Sequence, residues 1–380
     1  MHVIVAGAGI AGLSTAHALA RAGAEVTVLD PEAHAFSHSS GRNAAIFRPL
    51  ERSPGIAWLA QRSAALLDDI VGSRDAWLSP RELLLVGNAP GSLAELEGLG
   101  RRDGVAVERL YGPSLVARMP LLRGGRAEHA LAVRDAGVLD PHVICTSLLA
   151  ALRRLGARIE LGREVARLNL GRECARGVAL ADGSTLDADA VVLAAGAWAS
   201  ALGASAGLAL PLVPVRRHLA VLESSAPSEP ALPTVWDVEL EAYFRPESGG
   251  WLASPCDETC TLPGVPSSDP AALELLAERL AQVAPALADA RVRRSWACLR
   301  TFAPDRTLVA GADPRVAGLF WTAGLGGFGM TTGTALGEVT ARAVLGDEHP
   351  LAEPLGPARL LQPAASRRRA WDPLLASASS

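Results

Sequence analysis

Gly7, Gly9 and Gly12 stand in the spacing G-x-G-x-x-G, between the β-branched run Val3 to Val5 and a helical pattern with Leu13, Ala16, Leu19 and Ala20 on one face. The chemistry of that spacing is phosphate binding. The first glycine permits a tight turn, the second lets a pyrophosphate approach the backbone, and the third packs helix on strand, which leaves the N–H groups of the helix start for the phosphates. Asp30 closes the next strand, where a carboxylate accepts a ribose hydroxyl. An ordinary βαβ turn is the alternative; strand, helix and acidic residue in register favour a dinucleotide. A second glycine group, Gly326, Gly327 and Gly329, follows LFWTA and precedes a long helical pattern. It reads as a second helix N-terminus delivered to the same cofactor, the alternative being a strand–helix turn with no ligand.

These residues need α/β elements to position them, and the composition allows it. The chain has 380 residues, 49% of them hydrophobic, and a formal net charge of −4. That length favours two domains, and the charge gives no nucleic-acid footprint. There is no lysine, which excludes a pyridoxal-phosphate Schiff base and a Walker A lysine, since both need an amine. The five cysteines, Cys145, Cys174, Cys256, Cys260 and Cys298, form no disulfide framework, and Cys256 and Cys260 lack partners for zinc. No charged segment precedes the first strand, so a secretory signal is not expected and the location is expected to be cytoplasmic. The apolar stretch Ala190 to Val215 is long enough to span a membrane, but its glycines and prolines make it a buried strand followed by a short helix.

Along the chain, the pattern predicts helices from Gly55 to Val71, Ser92 to Leu99, Pro141 to Gly156 and Pro270 to Val283. Strands are expected at Glu82 to Val86, on both sides of a turn at Asp182 and Gly183, and repeatedly between Leu212 and Arg300. Arg367 to Arg369 read as a solvated tail.

The ordered set VIVAGAGIAGLSTAHALA, HSSGRNAA, AVVLAAGAW, LPLVPVRRH, AYFRP, WACLRTFAPDRTLVAG and GLGGFGMTTGTALGE resembles the FAD-dependent D-amino acid oxidase superfamily. The pattern is most similar to D-arginine dehydrogenase, with features of sarcosine and glycine oxidases. The resemblance implies an α/β fold with a Rossmann-like FAD-binding domain of the GR2 type and an antiparallel-sheet substrate domain. The expected division is 1–80, 141–211 and 296–365 for FAD, 81–140 and 212–295 for substrate, and a tail at 366–380. FAD is then expected to touch Ile10, Ala11 and Pro31, the loop Ser40, Gly41, Arg42, Asn43, Ala44 and Ala45, then Val165, Ala195, Gly196 and Trp198, and finally Phe328, Met330 and Thr331.

The implied activity is oxidation of the C–N bond of a small amino acid or secondary amine to an imine by hydride transfer to flavin N5, with O2 or a quinone-like acceptor taking the electrons. A 2-hydroxy acid or alcohol oxidoreductase, or a non-catalytic flavin-binding subunit, are the alternatives. Arg300 and Tyr243 match positions that clamp a substrate carboxylate; Arg300 is also an isolated cation in an apolar segment and needs a partner. Arg216 or Arg217 matches another substrate-side arginine, with Arg217 preferred, and Arg48 approaches the flavin from the polar loop; a structural ion pair is the alternative for each. Cys298 aligns with the cysteine that sarcosine oxidase joins covalently to FAD; a small buried thiol is the alternative. The departures concern the substrate. Ile46 replaces a histidine, Leu83 replaces the acidic residue that holds a basic side chain, and Leu252 replaces the lysine that promotes reaction with oxygen. A neutral or apolar substrate side chain and slow reoxidation by air are therefore expected.

Overall fold

The computed structural model describes residues 1–361 apart from Pro54, Pro90 and Pro227. The expected tail and its arginines, Arg367 to Arg369, lie outside the described residues.

The opening βαβ forms as its pattern requires. The strand His2–Ala6 is followed by α1 (Ile10–Arg21) and the strand Glu25–Asp30, which runs parallel to the first with Val3 beside Val26. Helices α2 (Ile56–Val71) and α3 (Pro141–Arg154) follow within a residue or two of their expected limits. Asp140 starts α3 by accepting the N–H groups of His142 and Val143, and Pro141 occupies the first turn, where its missing N–H costs nothing. Helix α4 (Pro270–Val283) begins on Asp269 in the same way, and α5 (Gly329–Leu345) ends on Gly346 at φ +80°. The helix expected from Ser92 begins and ends later, at Ala94–Asp103.

The strands sort into two large sheets. The first has the order 309–312, 319–323, 190–193, 2–6, 25–30, 158–161; all pairings are parallel except that of the edge strand 309–312. Such a sheet must be covered on both faces, because its strands are apolar throughout. Val3, Val5, Val26 and Val28 face Leu13, Leu19, Ile144 and Leu148 of α1 and α3. On the other face, Ile4, Val191 and Leu193 meet Leu168, Val178 and Leu180 of a three-stranded sheet, and that sheet contains the turn expected at Asp182 and Gly183. Each fully buried leucine here contributes about 1.5–3 kcal/mol relative to exposure.

Among the described residues the second sheet has nine strands and is mostly antiparallel. Val213–Glu223 lies beside Arg291–Phe302 over its whole length and pairs at its start with the short strand Thr259–Cys260; then come 250–254, 242–247, 234–237, 83–87, 129–133 and 107–111. One face takes α4 through Leu276, Leu280 and Val283. The other carries Leu85, Trp236, Tyr243, Leu252 and Cys298.

The stretch Ala190 to Val215 divides as its glycines and prolines indicate, into the strand Ala190–Leu193, the short helix Ala199–Ala204 and the start of strand Val213–Glu223. Among the described residues, no helix is long and apolar enough to cross a membrane.

Candidate active site

Helices α1 and α5 lie against each other through residues without side chains. A Cβ on Gly333 would come within 2.9 Å of Ile10 Cγ1, and one on Gly337 within 2.5 Å of the Thr15 nitrogen. Buried hydroxyls join the pair to the first sheet: Thr15 to Thr322 at 3.2 Å, and Thr322 to Thr340 at 2.8 Å. The two glycine-led helix starts therefore open into one cavity of about 580 Å³.

The N–H groups of Gly9 and Ala11 at one start, and of Gly327, Gly329 and Met330 at the other, find no acceptor among the described residues, and all five residues line the cavity. These are orphaned donors in the orientation that anions and electron-rich rings use. The glycines are needed where they stand. Gly7 sits at φ +116° with Ala194 O only 2.4 Å from a built Cβ, and Gly12 would place a methyl 1.8 Å from Gly7 O. Gly12 thus packs helix on strand and stands behind the wall.

The loop 36–45 folds over the start of α1. Ile10 N–H donates to Ser40 Oγ at 3.0 Å, Ser39 Oγ donates to Leu299 O at 2.6 Å, and Asn43 holds the turn by donating to Ser39 O and Ser40 O and accepting from Ala45 N–H. Ser40, Asn43, Ala44 and Ala45 line the cavity. Gly41 and Arg42 do not: Gly41 lies against Phe36 O, and the Arg42 carbonyl accepts from Trp296 Nε1.

At one end of the cavity, Asp30 accepts the N–H groups of Ala8 at 2.6 Å and Glu32 at 2.9 Å. Burial pushes its carboxyl up, and these two donors pull against that. Pro31, Val165, Ala195, Gly196 and Trp198 complete this end, with Glu32, Glu164 and His38 among them. The imidazole of His38 reaches Glu32 at 2.9 Å and lies 4.7 Å from the Trp198 ring. Glu32 and His38 were not singled out from sequence, although Glu32 stands two residues past Asp30 in D-P-E.

The other end gathers Arg48, Arg217, Tyr243 and Arg300, with Gly326, Gly327, Gly329, Met330 and Trp236. Arg48 is held between two rings, its guanidinium carbon 3.9 Å from the Trp236 centroid and 4.7 Å from that of Phe328, and it pairs with Glu51 at 2.5 Å. Phe328 and Thr331 stand behind the wall as supports for Arg48; Thr331 Oγ1 accepts the Arg48 N–H at 3.2 Å. Tyr243 stacks on Trp236 at 4.6 Å. Burial, with Cys256 adding to it, pushes the Tyr243 phenol above its ordinary range. Trp236 gave no sequence signal, because strand pairing alone brings it opposite Tyr243.

Strand alternation separates the two candidate arginines. Arg217 faces the cavity and pairs with Glu258 at 2.5 Å; Arg216 turns away to Asp269 at the start of α4. Arg300 is 7% exposed, and among the described residues no carboxylate lies within ion-pair distance of it. Its Nη1 donates to Leu299 O at 3.1 Å and lies 2.9 Å from Cys298 Sγ. Cys298 is 2% exposed and stands behind the wall.

The lining carboxylates, Asp30, Glu32 and Glu164, all belong to the Asp30 end. Glu82 pairs with Arg118 at 2.6 Å, and Leu83 is fully buried in the apolar face; neither reaches the cavity.

A family model described as FAD dependent oxidoreductase matches residues 2–343. The D-amino acid dehydrogenase of Methylobacterium nodulans is 28% identical, over 96% of this chain and 100% of its own length. Among solved structures, iminodiacetate oxidase from Chelativorans sp. BNC1 is 25% identical, with a TM-score of 0.79 over 93% of this chain and 99% of that one. L-proline dehydrogenase from P. horikoshii, at 21% identity, shares the fold with a TM-score of 0.85 over 94% and 97%.

Proposed function

This chain belongs to the FAD-dependent oxidoreductase family, and from that premise we propose that it oxidises the C–N bond of a small, carboxylate-bearing amino acid or secondary amine to the imine. The observation that carries the reading is the distribution of charge along the cavity. Arg300 is a buried guanidinium with no carboxylate partner of its own, and it sits beside Tyr243 at the end whose wall holds no acid. A buried cation in that state is stabilised by an anionic ligand.

The residues present fit FAD. The free N–H groups of Gly9 and Ala11 suit its pyrophosphate, Asp30 suits its ribose, and the start of α5 suits the electron-rich edge of its ring. FAD, when bound, supplies the acceptor for the hydride that leaves the carbon next to nitrogen, and water then hydrolyses the imine.

The chain's own contribution is positioning. Arg300 grips the substrate carboxylate with its remaining donors, and Tyr243 donates its phenolic proton to the same group. Trp236, fixed between Arg48 and Tyr243, gives the substrate side chain an apolar wall. No lining group at this end has the chemistry of a base, so the amine arrives neutral from solvent. With Glu82 engaged by Arg118, Leu83 buried and the carboxylates Glu51 and Glu258 taken by Arg48 and Arg217, a cationic side chain meets no carboxylate on the wall at this end, which favours a neutral or apolar one.

Two finer features follow from the same wall. Cys298 is screened from the cavity and held against Arg300, which favours flavin bound without a thioether. Leu252, buried in the apolar face, stands where a lysine would promote reaction with oxygen, and the nearby guanidinia of Arg48 and Arg217 are each held by a carboxylate, which favours an acceptor other than oxygen. Anaerobic mixing of the FAD-loaded protein with D-, L- and N-methyl amino acids and with 2-hydroxy acids tests the reading. Bleaching by the amines supports it; bleaching by the hydroxy acids alone, or by none, refutes it.

A further inference from the structure

A second cavity of about 420 Å³ opens at the far end of α1, about 18 Å along the helix axis from the glycine loop at 1.5 Å per residue. It is bounded by three helices. His17 and Arg21 come from α1, Asp69 and Ile70 from α2, and Ala151 and Arg154 from α3, with Leu155 just beyond it. None of these residues touches the flavin cavity.

His17 forms the floor. It is 8% exposed, and neither ring nitrogen has a hydrogen-bond partner among the described residues. A buried imidazole is ordinarily satisfied by a neighbour, so its accessible edge awaits something in the cavity. Arg21 and Arg154 are the rims. Basic residues in a last helical turn commonly cap the final carbonyls. Here neither guanidinium donates to a carbonyl or pairs with a carboxylate among the described residues. Asp69 is the one acid in the lining, and among the described residues it pairs with neither Arg21 nor Arg154. The two guanidinia share a single effect on the floor: after burial, their fields are what lower His17 to about 4. A field that repels a proton attracts an anion.

We propose that this cavity is a second ligand site, which takes a small oxyanion between Arg21 and Arg154 with His17 beneath it. At neutral pH His17 is uncharged and offers one N–H donor, and the two arginines offer forked donors to tetrahedral or planar oxygens. The helix ends that meet here carry partial negative charge, and the rims are exposed, so binding is in the range of about 1 mM rather than micromolar.

Calorimetric titration of the flavin-loaded protein with inorganic phosphate at constant ionic strength tests this, with acetate as a second arm for a carboxylate source. Phosphate or acetate is expected to bind the unaltered chain, and the double variant Arg21→Gln/Arg154→Gln to bind at least about tenfold more weakly, with its flavin spectrum unchanged. Both substituted side chains are exposed. If the double variant fails to retain flavin, Arg154→Gln alone is read the same way. No heat with either anion, or binding that survives in the variants, overturns the proposal.

Discussion

The bare α-carbon of Gly337 in α5 faces the backbone of Thr15 in α1 so closely that a methyl group would stand 2.5 Å from the Thr15 nitrogen. Backbone cannot yield as a flexible side chain does, so Gly337→Ala must separate the helices that bring the two free helix starts together. The expected loss is about 1–3 kcal/mol of stability, read from the urea midpoint, with weaker FAD retention on gel filtration. Gly98→Ala, on an exposed helix with nothing within 4 Å, is the control and is expected to be neutral or mildly stabilising. Equal behaviour of the two variants would show that close contact of α1 and α5 does not matter.

Arg300→Lys keeps a charge but removes the fork. On the carboxylate-clamp reading, KM rises about 100-fold, in line with the loss of about 1.5–3 kcal/mol for a hydrogen bond to a charged group. The flavin spectrum stays as it was. Steady-state kinetics check this, and an unchanged KM removes Arg300 from the substrate site.

The Tyr243 phenol is held above its ordinary range by burial, with Cys256 adding to it. Folding keeps the proton on, so the stability tied to it is complete below the ordinary phenol value of about 10 and is lost only as pH climbs past that towards the folded value. The log of kcat/KM is expected to rise as the substrate amine loses its proton and then to stay flat up to about pH 10. A descending limb below pH 9 that vanishes in Tyr243→Phe would mean that the phenol ionises far earlier.

Cys298 lies 2.9 Å from Arg300 Nη1 and out of the cavity. Acid precipitation is expected to leave yellow supernatant and a colourless pellet, for the unaltered chain and Cys298→Ser alike. A yellow pellet from the unaltered chain alone would show a covalent bond.

The first glycine loop was legible because part of its constraint is local: Gly7 takes a positive φ, and a side chain at Gly12 would strike Gly7 O, five residues away. Helix α4 was equally plain, since Asp269 and Pro270 announce its start and its apolar residues recur on one face. Trp236 was invisible for the opposite reason. Its role depends on pairing with Tyr243 on one side and with Leu85, from a segment far away in sequence, on the other. The choice between Arg216 and Arg217 needed the register of Val213–Glu223 against Arg291–Phe302, which no local pattern encodes. Gly41, Arg42, Phe328 and Thr331 are neighbours of the cavity wall rather than part of it, a distinction of one side-chain layer that a motif cannot make.

The central claim is that the two helix starts hold one FAD and that Arg300 presents a carboxylate-bearing amine to it. Its most direct measurement is the absorbance of the purified protein, anaerobically, before and after addition of small neutral amino acids of both configurations and their N-methyl forms. The account predicts a flavin spectrum that at least one of them bleaches, with Arg300→Lys needing about 100-fold more substrate for the same rate. A protein that carries no flavin and takes up none, or a flavin that no amine reduces, would contradict it.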